Sequence, residues 1–246
     1  MDLPDAQSIV VSNITKTIRK RAIIRDVSLR LGRGEIVGIL GRNGAGKTSC
    51  FYSIAGMLIP DSGSVTIDGI DMTNLPMYRR ARLGLGYLPQ ETSIFTGLSV
   101  RNNILAVLEL SEPDRHLRKV KLNELLEEFG IMHLGEAPAS GLSGGETRRV
   151  EIARCLASDP NYILLDEPFA GIDPVVGRDI RHMIHHLRDR GIGVLITDHN
   201  WRETLSLVER VYVLSEGTIL AYGTPDEIRQ DENFIRDYLG SDIGAL

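Results

Sequence analysis

Hydrophobic and polar positions alternate along the first part of the chain. Residues 27–31 alternate strictly, and residues 8–31 as a whole show the period of two that is typical of strands. An apolar run at 35–40 favours a buried strand, and residues 47–58 have the composition of a helix. The pattern therefore predicts a set of strands followed by one helix.

The middle of the chain changes to the period of a helix. Apolar residues recur every three or four positions over residues 99–130, and a polar break at 111–114 divides this stretch into two helices. Short apolar strands return at 162–165 and 193–197, with a helix at 179–190 between them. Strands that alternate with helices predict an α/β protein with a mainly parallel sheet.

We expect one domain that a helical insertion divides. An all-helical subdomain at 92–158 interrupts an α/β core made of residues 1–91 and 159–246. Thr224 is followed by a proline and then, at the third helical position, by a glutamate. This capping pattern predicts that a C-terminal helix begins there.

The composition is that of an ordinary folded protein. Of 246 residues, 42% are hydrophobic and 25% are charged, which excludes a wholly disordered chain. The net charge of −5 does not indicate nucleic acid as a main partner. Two cysteines fit a reducing compartment, no apolar run approaches the ~20 residues that span a bilayer, and the first residues lack an export signal. We therefore expect a cytoplasmic protein without direct membrane insertion.

The residues after the 35–40 strand form a phosphate-binding loop. The pattern G-x-x-x-x-G-K-[ST] is matched at every fixed position by Gly41, Arg42, Asn43, Gly44, Ala45, Gly46, Lys47 and Thr48, with Ser49 next. Glycines let consecutive backbone N–H groups face a polyphosphate, and the positive end of the following helix lies beside it. Lys47 supplies a charge for the outer phosphates, and Thr48 offers its hydroxyl to Mg²⁺.

A pair of acids follows the apolar strand at 162–165. Asp166 is its C-terminal residue, where ligands of parallel sheets gather, so it suits a Mg²⁺-holding carboxylate. Glu167 is next to it and could orient or deprotonate a water molecule. Without the phosphate loop upstream, such a strand would be read as ordinary core, and the loop favours the metal site.

A second helix N-terminus stands at LSGGE, residues 142–146. Ser143 and Glu146 form a capping box, and a well-capped helix is the plain explanation. Gly144 and Gly145 nevertheless make this an exposed helix start, and therefore a second anion site. Because one nucleotide has only one set of phosphates, we infer that this site serves a nucleotide held by another copy of the protein.

These motifs together resemble the ATP-binding subunits of ABC transporters. The resemblance covers nearly the whole chain in the family's order, and it includes Gln90 and His199, the latter after the strand at 194–198. It implies a P-loop NTPase core with a mainly parallel sheet, an N-terminal antiparallel β subdomain and an inserted α-helical subdomain. It also implies ATP and Mg²⁺ as cofactors, and two copies assembled head to tail around two Mg-ATP molecules.

The resemblance implies a role for each residue near the nucleotide. Lys47 and Thr48 would bind phosphate and Mg²⁺, and Asp166 would complete the metal site. Glu167 would be the general base, and His199 would contact the γ-phosphate.

The resemblance also implies contacts with other chains. Gln90 would contribute to the metal site and link it to two integral membrane subunits, which insert a short helix into a groove near Phe95. Phe95 could instead pack against the chain's own helices. Ser143 and Gly145 would reach the γ-phosphate in the opposite copy, with Asp173 at the seam of the dimer.

Within the family, residues 86–95, 164–174 and 195–204 are most similar to ATPases of lipopolysaccharide export in Gram-negative bacteria. ATPases for branched-chain amino-acid uptake share much of the sequence of these segments and remain an alternative. A soluble ABC ATPase without a transport role is another. The resemblance to the ATPases of lipopolysaccharide export implies that this chain is bound to the cytoplasmic side of the inner membrane through its membrane subunits.

One position departs from the family pattern. Members usually have an aromatic residue that stacks on adenine, and Ile18 stands in its place, with no aromatic residue before Phe51. Ile18 still provides an apolar face, and Arg19 could lie over the purine. The sequence thus predicts phosphate binding without predicting how selective the site is for adenine.

Three histidines fall in the predicted helix at 179–190. His182, His185 and His186 lie opposite its apolar face, so a solvated surface explains them better than a metal site does.

Overall fold

The computed structural model describes residues 7–170 and 174–236, and within them two sheets and a group of helices. The strands are β1 (Ser8–Ile18), β2 (Arg21–Gly32), β3 (Ile36–Gly41), β4 (Ser62–Ile67), β5 (Ile70–Asp71), β6 (Leu85–Leu88), β7 (Tyr162–Asp166), β8 (Gly193–Thr197), β9 (Arg210–Ser215) and β10 (Thr218–Gly223). The helices are α1 (Lys47–Ala55), α2 (Met77–Arg82), α3 (Val100–Ser111), α4 (Arg115–Glu128), α5 (Gly144–Leu156), α6 (Pro174–Asp189), α7 (Trp201–Leu205), α8 (Pro225–Gln230) and α9 (Glu232–Phe234).

The N-terminal sheet is antiparallel, with the strand order β2-β1-β4-β5. Its long hairpin turns at Arg19 and Lys20, which both have positive φ, 48° and 66°. Two such residues in succession match the right-handed twist of the flanking strands. Alternate apolar residues of β1 and β2, such as Ile9, Val11 and Leu29, are buried in the core. The predicted antiparallel β subdomain is confirmed.

The second sheet has the order β10-β9-β3-β8-β7-β6. Only β10 is antiparallel to its neighbour; β9, β3, β8, β7 and β6 run parallel. All residues of β3, β7 and β8 are buried, as expected of central parallel strands. The carboxyl ends of these three strands meet at one edge, which therefore collects their terminal side chains.

The helices α3, α4 and α5 lie between β6 and β7 in the chain and pack on one another. Ile104, Leu108, Leu126 and Val150 are among the apolar residues buried between them. Asp114 caps the start of α4, so the polar break predicted at 111–114 does separate two helices. The helices are where the sequence predicts them, and the subdomain bounds at 92 and 158 stay a prediction.

Two helices have other bounds than predicted. The helix predicted for 47–58 ends at Ala55, because Gly56 takes a left-handed conformation with φ 86°. The helix predicted for 179–190 already begins at Pro174. The capping box at Thr224 begins α8 as expected.

Within residues 7–170 and 174–236, no helix is both long and apolar enough to cross a membrane.

Candidate nucleotide-binding and hydrolysis site

The phosphate loop joins β3 to α1 in a conformation that requires glycine. Gly44 and Gly46 have φ of 82° and 104°, in the left-handed region. A Cβ on Gly46 would lie 2.7 Å from the carbonyl oxygen of Ile23, so no other residue fits there. Gly46 also precedes the first residue of α1, and the loop therefore delivers its N–H groups at a helix N-terminus.

Lys47 is buried at the inner side of this loop, with 6% of its surface exposed. Its ammonium donates to the carbonyl oxygens of Gly41 at 2.6 Å and Arg42 at 3.4 Å. Burial lowers the pKa of Lys47, although the carboxylates of Glu167 and two aspartates oppose this effect. A buried cation whose direct partners are uncharged carbonyl groups is suited to an anion.

The other loop residues lie around this cation. Ala45 is buried with Gly41 and Gly46. The second residue of α1, Thr48, is exposed, and Ser49 is partly buried. Arg42 and Asn43 are exposed at the start of the loop.

Asp166 ends β7 in a fixed orientation. One of its carboxylate oxygens accepts a hydrogen bond of 2.6 Å from the Thr197 hydroxyl, and the other lies 3.4 Å from the Tyr87 hydroxyl. Thr197 can reach it because the two residues are paired in the parallel register of β7 and β8. Burial, followed by the charge of Asp166, raises the pKa of Tyr87, so this hydroxyl stays a donor.

Glu167 joins Gln90 and His199. Its backbone has φ 42° and is held by an N–H bond of 2.8 Å to the Thr197 carbonyl. Its carboxylate accepts from the Gln90 amide at 3.1 Å and lies 3.3 Å from His199 Nδ1. The structure thus brings together the predicted residues Lys47, Gln90, Asp166, Glu167 and His199.

Asp198 is a part of the site that the sequence reasoning missed. Its side chain is completely buried, and Nδ1 of His199 lies 3.6 Å from it. Burial raises the pKa of Asp198, whereas the N–H of Asn200 and the charge of His199 act in the opposite direction. Its signal in the sequence was an acid directly after β8, just as Asp166 closes β7.

The predicted residues of LSGGE lie in a different cleft. Ser143, Gly144 and Gly145 begin α5 and line a cavity of about 500 Å³ whose lining includes no residue of the phosphate loop. The Ser143 side chain caps the helix, and the Glu146 carboxylate accepts a hydrogen bond of 2.8 Å from the Ser143 N–H. The predicted capping box is therefore present. Asp173 lies outside the described residues.

Ile18 and Phe95 are both on the surface. Ile18 closes β1 with 42% of its surface exposed. Phe95 is 52% exposed, and the Arg154 guanidinium lies 4.9 Å from its ring centre. The sequence left two explanations open for Phe95, a contact with the membrane subunits or burial among the chain's own helices. Burial is not observed.

Oxygen donors at the end of β7, in the first turn of α1 and in the loop after β6 are of the kind that Mg²⁺ prefers. Asp166 supplies a carboxylate, Thr48 a hydroxyl and Gln90 an amide oxygen, since the Gln90 nitrogen is used on Glu167. Mg²⁺ prefers oxygen ligands and is commonly bound by one or two carboxylates together with substrate phosphates. Lys47 and the loop N–H groups fit those phosphates.

Two of the three histidines of α6 lie at its surface, whereas His185 is partly buried and its Nδ1 has no hydrogen-bond partner in the described part of the chain. His182 and His186 are exposed, and Ile180, Met183, Ile184 and Leu187 are buried on the opposite face. His186 Nε2 lies 2.5 Å from a carboxylate oxygen of Glu128, at the end of α4.

A glycine-rich phosphate loop, a strand-end aspartate and a glutamate bonded to a glutamine define a P-loop nucleoside triphosphatase. The model of the family described as ABC transporter matches residues 24–170. The chain belongs to this family, as the motifs predicted, and is one of its ATP-binding ATPases.

Curated relatives match over nearly the full chain. An uncharacterized ABC transporter ATP-binding protein of Rhizobium meliloti (strain 1021) is 54% identical over 96% of this chain and 87% of its own length. The lipopolysaccharide export system ATP-binding protein LptB of Escherichia coli (strain K12) is 53% identical over 96% of this chain and 98% of its own length.

Solved structures share the fold. The ADP conformation of MJ1267, an ATP-binding cassette of an ABC transporter, matches with a TM-score of 0.85 at 27% identity, over 96% of this chain and 99% of that one. The ATP-binding cassette MJ0796, solved as a dimer in a post-hydrolysis state with ADP and Pi, matches with a TM-score of 0.76 at 25% identity, over 88% and 98%.

Proposed function

We propose that this chain is the motor subunit of an ABC transporter that extracts lipopolysaccharide from the inner membrane for export to the outer membrane. The substrate class is supported by the 53% identity with the Escherichia coli lipopolysaccharide export protein over nearly both full lengths. The uptake of branched-chain amino acids and a non-transport role are not favoured, because no described feature supports either.

The observation that carries the hydrolysis mechanism is the contact of Glu167 with Gln90 and His199 beside the buried Lys47. Glu167 takes the proton of the attacking water, because its carboxylate is oriented by the Gln90 amide at 3.1 Å. His199 holds the γ-phosphate and is itself oriented by Glu167 and Asp198.

The phosphate loop binds and orients the nucleotide. Lys47 neutralises the outer phosphates, and the N–H groups at the start of α1 hold them in line with Glu167. Thr48, Asp166 and Gln90 would hold Mg²⁺, which stabilises charge on the phosphate oxygens. Thr197 and Tyr87 fix the Asp166 carboxylate for this purpose.

The second anion site completes a nucleotide site in a second copy. Ser143, Gly144 and Gly145 begin α5 in a cleft of their own, and they would contact the γ-phosphate that the other copy holds. The matched dimer with ADP and Pi supports this assembly. Asp173 would lie at the seam of the two copies.

Two integral membrane subunits would dock beside Gln90 and Phe95, on the cytoplasmic side of the inner membrane. A cleft of about 730 Å³ lies between α2, α3 and α5; its lining includes the exposed apolar residues Tyr78 and Leu110, and it borders Phe95 only through Arg154. Exposed apolar side chains of this kind suit the apolar face of a short helix.

A reconstitution tests this function. The chain is purified together with the membrane subunits that accompany it from detergent-solubilised membranes, and is placed in vesicles that contain lipopolysaccharide. We expect Mg-ATP to drive the release of lipopolysaccharide from the vesicles, and Glu167→Gln to abolish the release. ATP hydrolysis without release of lipopolysaccharide would retain the ATPase and reject this substrate.

A further inference from the structure

A cluster of positive charge lies in a cleft beside the phosphate loop. This cleft, called the arginine cleft below, has a volume of about 700 Å³ and is bounded by the start of β2, the phosphate loop and the end of β9 with the turn after it. Its lining includes Arg21, Arg25, Arg42 and Arg236. Among the described residues of the lining Glu216 is the one acid, so four arginines against one glutamate leave an excess of three positive charges. A concave site with one sign of charge concentrates ions of the opposite sign.

Backbone hydrogen bonds fix the walls of the arginine cleft relative to one another. The N–H of Arg25 donates to the Gly217 carbonyl at 2.7 Å, which joins β2 to the turn between β9 and β10. The N–H of Gly217 donates in turn to the Ala45 carbonyl at 2.9 Å, which joins this turn to the phosphate loop. The cleft is therefore formed by the fold before any ligand binds.

An irregularity of β2 directs its side chains to this cleft. Ile23 is an extra residue in the pairing of β1 with β2, because Ala22 and Ile24 pair with consecutive residues of β1. A bulge of this kind changes the direction of the neighbouring side chains. Arg21, Ile23 and Arg25 all line the cleft as a result.

The guanidinium groups of the cleft suit phosphate. Arg21 and Arg25 are exposed, and their side chains form no ion pair within the described parts of the chain. Arg236 donates to the side-chain oxygen of Asn233 at 2.9 Å, which holds it just beyond α9. A guanidinium group binds two phosphate oxygens through parallel N–H bonds, which adds specificity to strength. The lining therefore points to a phosphate group as its ligand.

The arginine cleft adjoins the site for the 5′-phosphates of a nucleotide. Asn43, Gly44 and Ala45 belong to the phosphate loop and also line the cleft. The buried Lys47, which suits the 5′-phosphates, is not part of this lining, so the arginines form a second group of cations. One nucleotide can occupy both places if it carries phosphate groups at both ends of its ribose.

We propose that the arginine cleft binds the ribose phosphate of nucleotides that carry a 5′-diphosphate and a further phosphate on the 2′ or 3′ hydroxyl. The 5′-diphosphate of such a nucleotide occupies the phosphate loop and excludes ATP. Since it has no γ-phosphate, Glu167 has no bond to hydrolyse, and the nucleotide acts as a competitive inhibitor. The inference needs the nucleotide binding of the ABC family and does not depend on the transported substrate.

The test is a calorimetric titration of the purified chain with ADP and with its 2′-phosphorylated and 3′-phosphorylated forms. We expect one of the phosphorylated forms to bind at least ~10-fold more tightly than ADP, because charge-assisted bonds to phosphate are strong. The same form should inhibit ATP hydrolysis competitively, with an inhibition constant lower than that of ADP by a similar factor. Its advantage over ADP should shrink at high salt, which screens exposed charges.

Arg21→Gln and Arg25→Gln assign the advantage to the cleft. Each variant removes one guanidinium group outside the phosphate loop, so we expect the advantage over ADP to fall at least ~5-fold while the affinity for ADP stays within about twofold. Lys20→Gln is the matched control, because it removes an exposed positive charge from the same hairpin and Lys20 does not line the cleft. This control should keep the full advantage.

Three results would overturn the inference. The first is equal affinity for ADP and for both phosphorylated forms. The second is an equal loss of affinity for ADP and for the phosphorylated form in Arg21→Gln and Arg25→Gln, since these arginines would then hold the 5′-phosphates. The third is an equal loss of the advantage in Lys20→Gln, which would indicate general surface charge. Pyrophosphate that binds the ADP-loaded chain, without any advantage of the phosphorylated forms, would assign the cleft to a free anion instead.

Discussion

Glu167 has a backbone conformation that glutamate rarely adopts. Its φ of 42° lies in the left-handed region, and its main chain is held by the bond to Thr197 on the neighbouring strand. Strained residues of this kind persist where the surrounding structure determines them, and they are frequent at functional sites. In this conformation the Glu167 carboxylate lies against Gln90 and His199.

Replacing this carboxylate by an amide should separate binding from hydrolysis. Glu167→Gln keeps the size of the side chain but removes the base, so we expect ATP hydrolysis to fall ~10²–10⁴-fold while nucleotide binding persists. The ATP that is not hydrolysed should hold two copies together, and gel filtration with Mg-ATP should show a dimer. Phosphate release and elution volume are the measurements.

The control for this substitution is Glu216→Gln. Glu216 is a second glutamate with a left-handed backbone, φ 49°, and lies in the exposed turn between β9 and β10. We expect this variant to hydrolyse ATP normally. Near-normal turnover of Glu167→Gln would remove Glu167 from the role of base.

The residues of the site differ in how far the sequence predicts them. Lys47 follows from the local motif of the phosphate loop, and Asp166 and Glu167 follow from a short apolar strand once that loop is recognised upstream. The buried Asp198 and the orienting Thr197 depend on the pairing of β7 with β8, which joins residues about thirty positions apart in the chain. No local pattern specifies this pairing.

At the scale of elements, an ionic contact joins α4 to α6. Glu128, the last residue of α4, accepts hydrogen bonds from His186 and Arg190, and Phe129 lies edge-on to the His186 ring with centres 6.1 Å apart. Burial raises the pKa of Glu128, but the bonds from Arg190 and His186 outweigh it and the net pKa lies below the usual value. The contact therefore stabilises the ionised carboxylate.

Glu128→Gln tests this contact through its pH dependence. A carboxyl group with a lowered folded pKa stabilises the protein above its unfolded pKa, and this contribution is lost as the pH falls through the folded value. Since the pair is partly exposed, we expect the variant to lose about 0.5–1 kcal/mol at pH 7. In denaturant titrations the difference from wild type should begin to shrink as the pH falls to the ordinary pKa of glutamate, about 4.3, and should vanish below the lowered pKa of the folded state. A difference that persists in acid would point to packing instead of charge.

Buried apolar strands and helices of several turns were predictable from the sequence, whereas the shortest helices were not. The strands β3, β7 and β8 are short apolar runs and the helices α3 to α5 show a clear helical period, whereas α2 and α7 have only six and five residues. The end of α1 depends on a distant residue. A Cβ on Gly56 would lie 2.6 Å from the Arg80 guanidinium, which is fully buried and donates to carbonyls at the end of α1. Contacts of this kind are set by tertiary packing.

At the scale of the whole molecule, Phe95 tests the membrane contact. Because about half of the Phe95 surface is exposed and Arg154 lies against its ring, Phe95→Ala should leave the melting temperature of the isolated chain nearly unchanged. Loss of an aromatic anchor at an interface should weaken binding of the membrane subunits by about 2 kcal/mol or more. The measurements are a thermal melt and the recovery of membrane complexes. A lowered melt with normal recovery would reject the docking role.

The separation of Ser143 from the phosphate loop predicts how two defective copies behave together. Lys47→Ala and Ser143→Ala should each be inactive alone, because both nucleotide sites of the first homodimer lack Lys47 and both sites of the second lack Ser143. When they are mixed, a hybrid dimer has one site with intact Lys47 from one copy and intact Ser143 from the other. At equal amounts and free exchange, half of the dimers are hybrids, so about a quarter of all sites should recover hydrolysis. If each chain instead used its own Ser143, no site in the hybrid would be intact. A mixture that stays inactive, with exchange confirmed by two different affinity tags, would show that each chain works alone.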